Sequence, residues 1–151
     1  VTFTSQNYGA GEYGRCKKIF RIGMMFSFIS CGLLSAVFVI GRGFFLGLYS
    51  TDANVLVYAE QRICIATTLE LLTSIYEISA GAMRGLGHSM TPAVITFMGS
   101  CVLRLIWIST ACKMVHEFWV LMIIYPISWI ITGIAMMTAY GMLKRKIFKK
   151  A

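Results

Sequence analysis

Four long apolar runs, separated by short polar segments, set the pattern of this chain. The first begins near residue 22, carries no charge to residue 41, and continues through Phe44-Phe45-Leu46 to about Tyr49. The others cover residues 63–83, 92–112 and 118–143. Each is at least near the length of about 20 residues that crosses a hydrocarbon core of about 30 Å at about 1.5 Å per residue. The pattern predicts four transmembrane helices over residues 22–49, 63–83, 92–112 and 118–143.

The breaks between the runs carry helix-end chemistry. Residues 1–14 read as a short hydrophilic segment, in which Gly9 and Gly11 end a helix or form a turn. Ser50-Thr51-Asp52-Ala53-Asn54 reads as a loop with Thr51 or Asp52 as a helix cap. Residues 85–91 form a short loop, and Pro92 fits a first helical position. Residues 113–117 form the last loop. Gly43 and Gly47 make a GxxxG spacing that lets two membrane helices approach closely. Pro126 removes one backbone hydrogen bond, which predicts a kink just before it. Trp119 and Tyr140 fit the two interface belts.

The second run is the unusual one. It lies between a charged start (Glu60, Arg62) and a charged stop (Arg84), and it holds two carboxylates, Glu70 and Glu77. At about 100° per residue, a seven-residue step returns to the same face within about 20°. Thr67, Thr73, Ser74 and Gly81 fall on that face, with Ile65, Leu72, Ile75 and Tyr76 opposite. An ionisable group at bilayer depth costs about 2.5–3.5 kcal/mol on insertion scales, so it usually faces other helices or a water-filled cavity. In the third run Thr96, Ser100 and Arg104 share a broad face. In the fourth, Tyr125, Ser128 and Thr132 form a polar line.

Composition agrees with the runs. Apolar residues are 58% of the chain and charged residues 13%, against about 45–50% and about 25% for soluble domains. The net charge of +8 would suit nucleic acid, but the bases stand between apolar runs and are better explained by membrane orientation. Four spans place both ends and the 85–91 loop on one side. That side collects Arg15, Lys17, Lys18, Arg21, Arg84, Lys144, Arg145, Lys146, Lys149 and Lys150; the other holds Arg42, Arg62 and Lys113. Both ends are therefore expected to be cytoplasmic, in the plasma (inner) membrane. No secretory signal opens the sequence, and its start at Val1 reads as the C-terminal part of a longer protein.

Depth suggests a pairing. Glu70 lies about 10 Å, and Arg104 about 12 Å, from the outer ends of oppositely running helices. A structural ion pair between them is expected, since a paired acid and base neutralise each other. Glu77 has no base at its level. It reads either as a carboxylate that exchanges ions or substrate, its pKa raised by burial, or as a packing acid held by hydroxyls.

Other chemistry is sparse. Cys16, Cys31, Cys64, Cys101 and Cys112 show no metal spacing and read as small core residues without a disulfide. There is no HExxH, and His88 and His116 fall in loops, so metal sites and an intramembrane enzyme are disfavoured. Gly85 and Gly87 lack the preceding strand of a dinucleotide site.

Gln6-Asn7-Tyr8-Gly9-Ala10-Gly11, with Arg15 four residues on, resembles a helix-end signature of the multidrug and toxic compound extrusion (MATE) transporters. Gly81-Ala82-Met83-Arg84-Gly85-Leu86-Gly87, with Ser89 and Pro92, resembles their C-terminal motif. Arg42 through Asp52 is similar to their following extracellular turn. Arg104 and Trp107 stand where the family often has an Arg in the next helix. The resemblance covers nearly the whole chain.

The resemblance implies twelve helices in two six-helix bundles. This chain would supply the last four helices of the C-lobe and the tail of the helix before them. It implies export of drugs or small organic cations in exchange for Na⁺ or H⁺, with no cofactor, alongside the rest of the transporter chain in the lipid bilayer. Glu77, Glu70 and Tyr125 are then the candidate coupling or substrate residues. Gln6, Gly9, Arg84, Gly85, Gly87 and Pro92 are the motif residues. Two other readings stay open: a flippase for lipid-linked sugars of the same superfamily, and a membrane bundle that transports nothing.

Overall fold

Two Gly-x-Gly turns fix the helix ends at one end of the molecule. The computed structural model describes residues 1–49, 52–67, 69–115 and 118–148. Helix α1 (Thr2–Gly9) stops where Gly11 takes a φ of +75°, and α2 (Tyr13–Ile40) begins two residues later. The Glu12 N–H reaches back to the Asn7 carbonyl, and the Gly11 N–H to that of Tyr8. The same pair of bonds ends α5 (Leu71–Gly85): the His88 N–H donates to the Met83 carbonyl and the Gly87 N–H to that of Arg84, with Gly87 at φ +84°. Both are Schellman ends, which need a residue free to enter the left-handed region.

The first span is longer at its start and shorter at its end than its apolar run. Helix α2 runs from Tyr13, so Arg15, Lys17, Lys18 and Arg21 are helical. Charge takes a helix out of the hydrocarbon without breaking it. At Gly41 the helix stops, and Arg42–Tyr49 forms a separate short helix, α3. The GxxxG expectation fails among the described residues, because nothing stands within 4 Å of a Cβ built at Gly43 or Gly47.

The second span is likewise not one continuous helix. Helix α4 (Ala53–Arg62) passes into a π-helical turn, Ile63–Thr67, before Glu70 starts α5. Such wide turns loosen the regular ladder. The Ser35 hydroxyl on α2 donates to the Thr67 carbonyl there at 2.8 Å. Of the expected cap residues, Thr51 lies outside the described residues, while the Asp52 carbonyl accepts from the Leu56 N–H.

Helix α6 (Met90–Thr96) widens into a second π-helical segment, Phe97–Val102, and continues as α7 (Leu103–Met114). Pro92 is the third helical residue rather than the first. It is still within the turn whose N–H groups have no helical partner, so the ring is tolerated. Gly99 lies so close to α8 (Phe118–Phe148) that a Cβ there would collide with the Thr132 hydroxyl. Helix α8 runs through Pro126 and carries the basic residues Lys144, Arg145 and Lys146 in helix, beyond the end of its apolar run.

Three of these stretches are long and apolar enough to cross a membrane: Tyr13–Ile40, Met90–Ala111 and Phe118–Ile147. No strand occurs among the described residues. Helix α5 is the central element, packed on both α2 and α8. Leu71 and Ile78 meet Gly32 and Gly23 of α2, while Ile75 meets Gly133 of α8. The core gathers Ala80, Ala82, Met83 and Leu86 of α5 with Met136 and Tyr140 of α8, and Tyr8 and Phe20 pack on it. Tyr140 is therefore not an interface residue; it is buried and stacks on Phe20 at 4.3 Å. Trp119, near the other end of α8, is exposed.

Gly85 shows why its motif admits no side chain. A Cβ there would lie 2.6 Å from Thr4 Cβ and 2.8 Å from the Val1 carbonyl oxygen. Helix α1 folds back across the end of α5 at this point, and the Cys16 thiol donates to the Thr4 carbonyl to hold it. The same packing brings Arg15, Lys17, Lys18 and Arg21 to the end of the bundle that carries Arg84, Lys144, Arg145 and Lys146.

Candidate functional site

The faces of α5 divide cleanly. Its α2 side holds buried Ser74, whose hydroxyl accepts from Ser27 at 3.0 Å and donates to the Cys31 sulfur at 3.4 Å. Its α8 side holds buried Ser79, which donates to the Ile75 carbonyl at 2.6 Å and contacts the Met137 sulfur at 3.1 Å. The remaining face carries Glu70, Glu77 and Arg84, seven residues apart and all exposed. So Ser74, expected beside the acids, serves α2 instead. The two carboxylates do share a face, and no described residue covers it.

Glu70 and Arg104 do not form the expected ion pair. Arg104 is half-buried and turned toward α8, where its Nε and Nη2 donate to the Ser128 hydroxyl at 3.2 and 3.1 Å. Ser128 is fully buried and donates in turn to the Tyr125 carbonyl at 2.8 Å. The guanidinium carbon also lies 4.6 Å from the centre of the Tyr125 ring, a cation–π geometry. Counting residues gave the two charges matching depths but not matching directions. Glu70 points from the open face of α5, and Arg104 from α7 toward α8.

The polar line Tyr125, Ser128 and Thr132 is thus split in use. Tyr125 and Ser128 hold Arg104, whereas Thr132 packs on Gly99 with its hydroxyl unpartnered among the described residues. Trp107, one turn past Arg104, donates from its indole nitrogen to the Val120 carbonyl at 2.9 Å and ties α7 to α8. Tyr76, beside Glu77 in sequence, is half-buried on α5.

At the end of the bundle opposite Arg84, an open cavity of about 1190 Å³ lies between α3, α4 and the start of α8. Phe38, Phe45, Tyr49, Tyr58 and Phe118 line it, with Arg62 as the charged member. None of Glu70, Glu77 or Tyr125 lines this space. Beside it the Arg42 Nε donates to the Glu60 carboxylate at 2.7 Å, joining α3 to α4, and that neighbour raises the Arg42 pKa further above its usual range. Of the motif residues, Gln6 and Gly9 are exposed in the last turns of α1, and Pro92 is buried. No group of acids, histidines and cysteines able to hold a metal occurs among the described residues.

A family model described as MatE matches residues 1–110. A Bacillus subtilis (strain 168) protein, "Probable multidrug resistance protein YoeA", is 29% identical over 94 residues, covering 62% of this chain and 20% of that protein. The chain spans about a fifth of the length of the curated relative it matches.

Proposed function

This chain belongs to the MatE family, and from that premise we propose that it is part of the C-terminal half of a multidrug efflux antiporter. The whole protein exports organic cations or drugs in exchange for Na⁺ or H⁺. The observation that carries this reading is the open face of α5, where two carboxylates stand within the second apolar run with no described neighbour to neutralise them. Left to lipid, each would cost about 2.5–3.5 kcal/mol. Facing a wet passage completed by the rest of the transporter chain, each can bind a cation or proton. The similarity to a Bacillus multidrug resistance protein supports the same reading.

Glu77 is proposed as the coupling carboxylate. Glu70, no longer assigned to an ion pair, becomes a second cation site one helical stretch away. Tyr125 acts through Arg104 and borders the passage. The aromatic cavity at the far end fits an outer vestibule, since the basic end is proposed to be cytoplasmic by the positive-inside rule. The membrane is the plasma membrane. A sugar-lipid flippase would need several bases around its passage, and Arg104 is the base that the described spans place within the bundle.

The test is transport by the full-length protein in vesicles under separate Na⁺ and pH gradients. Glu77→Gln is expected to abolish gradient-driven uptake, and Glu70→Gln to weaken it. Full coupling in Glu77→Gln with loss in Glu70→Gln would reverse the assignment.

A further inference from the structure

The bases at the Arg84 end sit on helices, not on loops. Helix α2 carries Lys18 and Arg21 near its start, and α8 carries Lys144, Arg145 and Lys146 near its end. The two helices are locked together just inside these bases, where Phe20 stacks on Tyr140 at 4.3 Å and Ile147 packs on the same core. Lys18, Arg21, Arg84, Arg145 and Lys146 are exposed, and Lys144 is half-buried. Glu12 is the described acid at this end, and it lies 3.8 Å from Arg15. None of Lys18, Arg21, Arg84, Lys144, Arg145 and Lys146 has an acid within ion-pair distance among the described residues. Sorting a helix to one side of a membrane needs only bases near its end. It does not need them held at fixed heights on a packed pair of helices.

Arg21 adjoins the first apolar run, and Lys18 stands about 5 Å further out along α2; Lys144 adjoins the fourth run, with Lys146 about 3 Å beyond it. The headgroup layer is about 5–7 Å deep on each side of the hydrocarbon. These bases therefore lie at the level of lipid phosphates. A soluble anion or macromolecule would have to enter that layer, whereas a phospholipid already has its phosphate there. The Lys18 face of α2 continues inward as Ile22, Met25 and Ile29, all exposed, which offers an acyl chain a surface below the charge. We propose that this end of the bundle is a binding surface for anionic phospholipid. Phosphate oxygens take Lys18, Arg21 and the α8 bases, and a net negative headgroup is selected over a zwitterionic one, whose own cation the patch repels. The inference goes beyond the transport reading and holds whatever molecule the protein exports.

The test places the full-length protein in nanodiscs of equal parts phosphatidylglycerol and phosphatidylcholine and counts the lipids it keeps by native mass spectrometry. The retained ratio of phosphatidylglycerol to phosphatidylcholine should exceed that of the disc. Lys18→Gln combined with Arg21→Gln should lower it by at least about fivefold, the scale of one base near a charged surface. Lys144→Gln combined with Arg145→Gln and Lys146→Gln should lower it likewise, and serves if the α2 variant does not fold. Lys113→Gln, which removes an exposed base at the opposite end, should leave it unchanged. A retained ratio equal to that of the disc in the unaltered protein, or one that the basic-end variants do not move, overturns the inference. So does an equal fall with Lys113→Gln, which would make any charge sufficient. Displacement of the lipid by inorganic phosphate, at an ionic strength matched with chloride, would give the surface to a soluble anion. Capture of an oligonucleotide in pure phosphatidylcholine discs, lost in the same variants, would give it to nucleic acid. Either result overturns the lipid assignment.

Discussion

The Ser35 hydroxyl of α2 donates to the Thr67 carbonyl at 2.8 Å, at a π-helical turn in the acid-bearing span. In water a loosened carbonyl finds a solvent partner; in a bilayer it must find one in the protein. Ser35 is buried and in position to be that partner. Ser35→Ala is expected to destabilise the full-length protein in detergent by about 1 kcal/mol. Ser35→Thr should restore most of that. Unfolding midpoints of the two variants that coincide would show that the Thr67 carbonyl has another partner.

The Gly-x-Gly end of α5 makes two different demands on two glycines. Gly87 needs a positive φ, so Gly87→Ala should cost about 1–2 kcal/mol through backbone strain. Gly85 needs empty space against Thr4 and Val1, so Gly85→Ala should cost about 1–3 kcal/mol through overpacking. Gly47→Ala is the control, because nothing faces it and α3 would gain helix propensity of about 0.5–1 kcal/mol. Thermal unfolding of the three variants reads the order. A Gly47→Ala protein as unstable as the Gly85→Ala protein would mean that α3 has a close neighbour elsewhere in the whole transporter.

Gly99 and Thr132 should behave as a coupled pair. A methyl at Gly99 collides with the Thr132 hydroxyl, which has no hydrogen-bond partner among the described residues to lose. Gly99→Ala alone is expected to cost about 1–3 kcal/mol. In a Thr132→Ala background its cost should fall by about 1 kcal/mol or more, since the hydroxyl is gone and the Thr132 Cβ, 3.1 Å away, is the part that stays close. A double-mutant cycle on unfolding free energy measures this, and strict additivity of the two changes would refute the contact.

These cases show what was readable along the chain and what was not. Helix ends at Gly9-Ala10-Gly11 and Gly85-Leu86-Gly87 were legible, because a Schellman turn is local chemistry. The sorting of bases to one end was legible too, since it needs only the order of spans. Depth along a helix follows from a residue count, which is why Glu70 and Arg104 were expected at one level. Direction around the helix does not follow, and that is why their ion pair failed. Which way Arg104 turns is decided by where Ser128 and Tyr125 lie on α8, and two π-helical segments alter the angle between residues on either side of them. The limits of α2 and α8 were missed for a simpler reason: lysines and arginines mark where the hydrocarbon stops, not where the helix does. Tyr140 looked like an interface residue by position, but Phe20 supplies it with a stacking partner inside.

The proposed function is most exposed at the open face of α5. Glu77 and Leu33 are both exposed in this chain, one charged on α5 and one apolar on α2. If the rest of the transporter turns the α5 face toward a wet passage, a cysteine at Glu77 can ionise there, and thiolate is the form that reacts. If Leu33 meets lipid, a cysteine there stays a thiol and inert. In the full-length protein with its native cysteines replaced, Glu77→Cys should therefore react severalfold faster with a charged, water-soluble maleimide than Leu33→Cys. Exposure alone cannot produce that difference, because both positions are open in the described chain; only water on one side and lipid on the other can. Equal resistance at both positions would put the acids of α5 against lipid, and a carboxylate there has no cation to exchange.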